Sequence, residues 1–476
     1  MVFSSLIFIC GFLPVVVAIY FASPARWRNL VLVIASVVFY AWSGPLAVLL
    51  VLSLIAANFL LGRMIETRAA PARRVVLIGA LTLNLAVFVL FKYAGFLLDN
   101  ANDVLAPFTQ YRLPVWSLPL PLGISFFTFH IISYLVDVYR GSVKSQPSPT
   151  AFALYIINFP QLIAGPIIRY RQIADQLGLR AVRFDDIDAG VGRLTVGLVK
   201  KLLIADPIGT VVDQIFMVSP GDLTTATAWL GAVCYGLQIY FDFSGYSDMA
   251  IGMARIFGFR FPENFNYPYA AASMRDFWRR WHMTLSAWFR DYVYIPLGGN
   301  QHGHWQTARN LWIVFFLAGA WHGASWNFIV WGLWQGLFLA LERLGPVEAM
   351  FARSPQLVRH VYLLLVVVFG WVFFRAPDLE YALGYLARML GFGAAPGALP
   401  LILNISAPMM ILITAAFCMS LPLWPRLRAA LNPLSAGDRG AAAADLSRAV
   451  LIASAMVLSL GAMAGEQYSP FIYFRF

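Results

Sequence analysis

No Asp, Glu, Lys or Arg lies between Arg309 and Glu342, and apolar runs of similar character recur from Phe3 onward. Uninterrupted stretches of that length suit a bilayer-spanning helix better than a helix buried in a soluble core. Charged residues make up only 12% of the 476-residue chain, against roughly 25% in soluble domains. A soluble fold of this size would lack the charge to clothe its surface. These observations argue against a soluble enzyme, a disordered chain or a fibre, and for an integral membrane protein with 15% aromatic residues.

The net charge of +11 does not signal nucleic acid, because the Lys and Arg residues fall in short gaps between apolar runs rather than along one basic face. In a membrane protein that excess reports orientation. The first run, Phe3 to Phe21, has no positive residue before it, and Arg26 and Arg28 follow it. This is the reverse of a cleavable signal, so the first helix reads as retained with its N-terminus outside. Arg63, Arg68, Arg73 and Arg74 then fall in a cytoplasmic gap, Leu98–Ser117 outside, and Arg140 and Lys144 inside.

Helices are expected near Asn29–Trp42, Pro45–Leu61, Val75–Leu97, Leu118–Val138, Ala189–Ala205 and Ala226–Phe257. Further spans follow near Asn310–Ala320, Phe328–Glu342, Tyr362–Phe374, Leu401–Leu421 and Val450–Met463. Ala151–Ile168 carries Pro160 and Pro166 and reads as a re-entrant or broken helix, tolerated at membrane depth only where protein or a wet cavity surrounds it. Leu434–Ala444 reads as a surface loop. The expectation is an all-α polytopic membrane protein of about eleven or more transmembrane helices, with re-entrant and interfacial helices besides. Residues 1–476 form one domain, divided into N-terminal helices 1–117 and a core 118–476. Cys10, Cys234 and Cys418 lie in apolar stretches without paired spacing, which offers neither a disulfide framework nor a metal site.

The least membrane-like part of the second half is Arg260–Asn310, with six arginines, three histidines and a dozen aromatics. Ser273 and Asp276 fit a capping box, so a helix is expected to start there. At about 100° per residue, Arg275, Arg279, His282, Ser286 and Arg290 gather on one face. Phe277, Trp281, Leu285, Trp288 and Tyr292 gather on another. Two compatible readings follow: a helix lying among lipid headgroups, or a basic stripe that steers an anionic, phosphate-bearing ligand.

His322 is the ionisable residue in the uncharged 310–341 run, and such a residue marks a functional site by default. Gly319, Gly323 and Ala324 beside it allow close approach of another helix or a ligand. A neutral histidine bonded between helices is the alternative. As chemistry, an imidazole suits general-base work. Asp242 and Asp248 are further intramembrane charges that need partners; Arg255 or Tyr246 would serve, and a helix-locking network is the favoured reading. His130 reads as core packing, Lys200 and Lys201 as a membrane boundary. His302 and His304 lack the carboxylate or cysteine partners of a metal site.

The segments PLGISFFTFHIISYLVDVYRG, NFPQLIAGPIIRY, YFDFSGYSDMAIGMARIFGF, NFNYPYAAASMRDFWRRWHMTLSAWFRDYVYIPLGG, AGAWHGASWNFIVWG and PFIYFRF resemble the membrane-bound O-acyltransferases. The likeness is to their bacterial polysaccharide-modifying branch, nearest its alginate-acetylating members. It implies His322 as the catalytic histidine and His282 as a second functional one. It implies a helical ring around a thinned core with a tunnel, in the inner membrane of a bacterium. It also implies an acetyl-coenzyme A donor, no bound cofactor, and transfer to an exported polysaccharide through periplasmic acetyltransferase partners. The acceptors rank as alginate first, then cellulose or another exopolysaccharide, then teichoic acid. The donor's phosphates would suit Arg275, Arg279 and Arg290, and Asn327 is a candidate for steadying an oxyanion. A polysaccharide or lipid-linked sugar transporter is the competing class, although the sequence has no inverted halves.

Overall fold

The computed structural model describes residues 2–42, 44–115, 118–393, 405–423 and 438–465, and every regular element among them is helical. PFIYFRF and the start of the expected 401–421 span lie outside the described residues. The chain divides into two units: Met1–Val191 with Ala250–Pro262, and Gly192–Met249 with Glu263–Phe476.

In the first unit the helices Arg28–Ala41, Pro45–Thr67, Ala72–Leu105 and Ile124–Arg140 follow the expected apolar runs. Polar side chains fasten them where no water competes. Asn58 and Asn84, both buried, exchange side-chain hydrogen bonds of 3.0 and 2.7 Å between the second and third of these helices. The Pro160 region is broken as its prolines require: Pro149–Ile157 ends at Asn158, and only the four-residue turn Phe159–Leu162 follows. All of residues 154–168 are buried, and the freed backbone finds partners. Ser36 Oγ accepts from the Phe159 N–H at 3.0 Å, and Tyr155 donates to the Ile168 carbonyl at 3.0 Å. The His130 ring accepts from the Ile168 N–H at 3.3 Å, which gives it a structural partner.

In the second unit, His304–His322 and Trp326–Leu341 form a helical hairpin around the WHG sequence. They cross without side chains between them. A Cβ on Gly319 would lie 2.3 Å from the Phe328 carbonyl oxygen, and one on Gly332 would lie 2.2 Å from that of Phe315. Gln356–Arg375 packs beside the second arm, where Trp334 donates to the Val366 carbonyl at 2.9 Å.

By length and composition, four described helices can each cross a bilayer: Pro45–Thr67, Ala72–Leu105, Gln356–Arg375 and Ala444–Gly465. Others are apolar but short. Trp326–Leu341 rises about 24 Å, less than the roughly 30 Å of a hydrocarbon core. The expected count of eleven is therefore not reached on this criterion. Short and interrupted apolar helices account for the shortfall. Residues 438–444, expected in a loop, begin the last helix.

Gly332→Ala tests the crossing. It should cost about 3 kcal/mol or more, because backbone rather than a movable side chain occupies the space. Gly79→Ala, with nothing within 4 Å of its Cβ, should leave the melting temperature unchanged or raised. Equal melting temperatures for the two variants would remove the argument.

Candidate active site

The hairpin places His322 at the last residue of its first arm, buried and walled by aromatic rings. The centroids of Trp321, Trp331 and Phe374 lie 4.9, 4.9 and 5.1 Å from the imidazole, all edge-on. Trp331 stacks in turn with Trp371 at 6.2 Å, and Trp371 meets Trp281 at 4.8 Å. These walls exclude water, which strengthens any electrostatic interaction made inside them.

His282 comes to the same place by a different route. The continuous helix expected from Ser273 does not form. Ser273 does cap the start, accepting from the Asp276 N–H at 3.1 Å, but the helix Met274–Arg280 stops there and a second begins at Met283. Between them Trp281 is extended and His282 is left-handed, with φ of 42°. That conformation is uncommon for a side-chain-bearing residue and marks a constrained position.

Asn264 holds the break. Its carbonyl accepts from the Met283 N–H at 2.9 Å, and its side-chain oxygen accepts from the Thr284 hydroxyl at 2.9 Å and N–H at 3.3 Å. Its amide donates to Ser247 at 3.1 Å, and Asn266 N–H bonds the Arg280 carbonyl at 2.9 Å. Sequence reasoning missed Asn264; its one signal was a second asparagine two residues on, in NFNYP.

The result is that His282 is fully buried, 4.7 Å from Phe243 and 6.1 Å from Trp321 between ring centroids. Trp321 is thus a shared neighbour of both imidazoles. Neither His282 ring nitrogen has a hydrogen-bond partner among the described residues, and burial pushes its pKa down to about 3. It is neutral at cellular pH. The indole N–H groups of Trp278 and Trp331, whose rings are 6.0 Å apart, also lack partners among the described residues. Buried polar groups are rarely left unmatched, and here several gather around two histidines.

Other expected residues have different company. Asp242 and Asp206 enclose Lys201 at 3.0 and 2.7 Å, with all three side chains buried. Asp248 holds Lys200 and Arg193, each at 2.7 Å, and Arg193 also reaches Glu263. The lysines read as a membrane boundary are therefore internal counter-ions, with the π-helical turn Val199–Ala205 beneath them. Arg255 pairs with Asp186 at 3.3 Å instead.

The Asn327 amide donates to the Ala376 carbonyl at 2.8 Å, tying the hairpin to the end of Gln356–Arg375. Arg275 and Arg279 are exposed, and Arg290 pairs with Asp291 at 2.8 Å. Among the described residues no three His, Cys, Asp or Glu side chains are placed to hold a metal ion.

The family model described as MBOAT, membrane-bound O-acyltransferase family, matches residues 115–381, which contain all of these site residues. The chain is 44% identical over 396 residues to a probable alginate O-acetylase of Azotobacter vinelandii, covering 83% of this chain and 79% of that one. It is 38% identical to a probable alginate O-acetylase of Pseudomonas putida over the full length of both. With a peptidoglycan O-acetyltransferase of Helicobacter pylori it shares 37% identity, over 82% of this chain and 80% of that one.

Two measurements check the His282 turn. Asn264→Leu should cost about 2–3 kcal/mol through the donors it strands; a melting temperature equal to wild type would show that the turn does not depend on it. An unfolded histidine takes up a proton below about pH 6.5, whereas the native one does so only near pH 3. Acidification through that window therefore favours the unfolded state. The melting temperature should fall as pH drops below about 6.5, and His282→Gln should flatten the fall. An unchanged slope would show His282 to be protonated in the native protein.

Proposed function

The chain belongs to the membrane-bound O-acyltransferase family, and on that premise we propose that it moves acetyl groups from a cytoplasmic thioester to an exported polysaccharide, alginate first. It is a multi-pass membrane protein and an acyltransferase. The observation that carries the mechanism is the pair of buried imidazoles sharing Trp321 inside the family-matching segment. The names of its relatives support alginate as the first acceptor; cellulose, another exopolysaccharide or teichoic acid are the alternatives.

In the proposed reaction, His322 takes the proton of an acceptor hydroxyl as the oxygen attacks the thioester carbonyl. The tetrahedral intermediate carries its charge on the former carbonyl oxygen. His282, neutral, supplies an N–H to that oxygen, and Asn327 retains one amide N–H beyond its bond to Ala376. The intermediate collapses by breaking the C–S bond, and the His322 imidazolium returns the proton to the departing thiolate. Asp242 and Asp248 act from a distance by fixing the helix that carries Phe243 against His282.

The acetyl donor is proposed as acetyl-coenzyme A, with Arg275, Arg279 and Arg290 on the donor side and no resident cofactor. The proposed setting is a bacterial inner membrane, N-terminus outside, with residues 118–476 as the catalytic core. The core is proposed to form a helical ring with a tunnel through a thinned centre, handing acetyl groups to periplasmic partner proteins.

His322→Ala should lower polymer acetylation by about 10²-fold or more at normal expression, read by mass spectrometry of the secreted polymer. Acetylation at the wild-type level would disprove the catalytic assignment. Purified protein that failed to cleave acetyl-coenzyme A would favour the transporter class.

A further inference from the structure

A cavity of about 190 Å³ in the second unit has an apolar lining. Val233 and Leu237 come from the helix Thr225–Ile256, Leu364 and Val368 from Gln356–Arg375. Among the described residues no Asp, Glu, Lys or Arg lines it. Its mouth is apolar too, because the lining residues Val361, Leu365 and Phe417 are 48%, 42% and 45% exposed.

Water does not suit such a space, since a buried water needs two or more polar partners. Left empty, the cavity would forfeit the dispersion contacts that its lining could make. An apolar occupant answers both, and the surroundings supply one. Gln356–Arg375 is long and apolar enough to cross a bilayer. Apolar side chains exposed along it therefore face hydrocarbon rather than water.

Polarity gives that occupant a direction. The helix opens with Gln356, Arg359 and His360, and no further charge follows until Arg375. This polar start marks the headgroup level. His360 lines the cavity there and donates to the Ala271 carbonyl at 2.9 Å. From His360 to Val368 the unbroken helix rises about 12 Å. That is close to the depth of one leaflet of a hydrocarbon core roughly 30 Å thick.

On its inner side the cavity touches Tyr269 and Gly236. The Tyr269 hydroxyl donates to the Gly236 carbonyl and accepts from the Trp371 indole N–H at 3.2 Å. Trp371 stacks on Trp331, which walls His322.

We propose that this cavity seats one acyl chain of a membrane phospholipid, its ester end at His360 and its methylenes against Val233, Leu237 and Leu364. The seated chain backs Tyr269, and through it the Trp371–Trp331 pair, from outside the candidate site. It is a resident lipid and not a substrate, so the seat stands or falls separately from the acyl-transfer reading.

The test uses the full chain in phosphatidylcholine nanodiscs in which a small fraction of the lipid carries a diazirine on one acyl chain. After irradiation, labelled residues are mapped by peptide mass spectrometry. Val233, Leu237 and Leu364 should carry adducts in the wild type. Ile411, 69% exposed and outside the cavity, reports lipid that merely surrounds the protein. Val361→Trp and Leu365→Trp, which block the mouth at exposed positions, should each lower the wall adducts about tenfold and leave those at Ile411 within about twofold. Melting of each variant in lipid-free maltoside checks that it folds. Returning phosphatidylcholine to the stripped wild type should raise its melting temperature by about 3 °C or more. The rise should be smaller in both variants, and glycerophosphocholine, which has no acyl chains, should give none.

Unlabelled walls in the wild type would overturn the proposal and leave the mouth to another segment of the chain or a second copy. Wall adducts that persist in both variants, or that fall only in parallel with Ile411, would also overturn it by leaving surrounding lipid alone. So would a thermal rise that is equal in wild type and variants.

Discussion

A helix crossing with no side chains in it holds the WHG hairpin of the second unit together. Gly319 and Gly332 let the two arms of the WHG hairpin approach until backbone meets backbone. Gly319 lies one turn before His322, and Gly332 directly follows Trp331. The same approach therefore brings the imidazole against the indole at 4.9 Å. A Cβ at either glycine would part the arms and loosen the aromatic wall around the histidine. In a bilayer, where lipid competes equally for apolar surface, such close packing is a main source of helix association.

Charge is used with the same economy. Two groups of lysines and aspartates are matched, Lys201 between Asp206 and Asp242, and Asp248 between Lys200 and Arg193. Breaking such a group would strand a charge in a low-dielectric interior. The groups brace the long Thr225–Ile256 helix, whose Phe243 packs on His282. Among the buried polar atoms without partners among the described residues are the His282 ring nitrogens and two indole N–H groups at the candidate site, and the Nε atoms of Arg343 and Arg359. The set at the candidate site suits an acyl group in transit.

Much of this was legible residue by residue. The helices of both units follow the apolar runs, and the Pro160 region is broken where its prolines fall. His322 stood out because nothing else in its run ionises. The family resemblance singled out His282 as well. The helical wheel through residues 273–292 misled, because it assumed one helix. Asn264, distant in the folding pattern and silent in periodicity, diverts the chain at His282 and re-aims everything after it. The lysine partners of Asp242 and Asp248 were missed for a related reason: Lys200 and Lys201 are far from them in sequence, and a wide π turn carries them inward.

By itself the sequence determined the membrane character of the chain, most of its helices, and the one histidine isolated in the 310–341 run. Those follow from local composition and period, which every window of the chain displays. The tertiary structure alone decided that the two histidines share Trp321 and that lysines are counter-ions to buried aspartates. These depend on pairs of residues tens of positions apart and on one left-handed residue. No hydrophobic period encodes which distant side chains a fold will bring together.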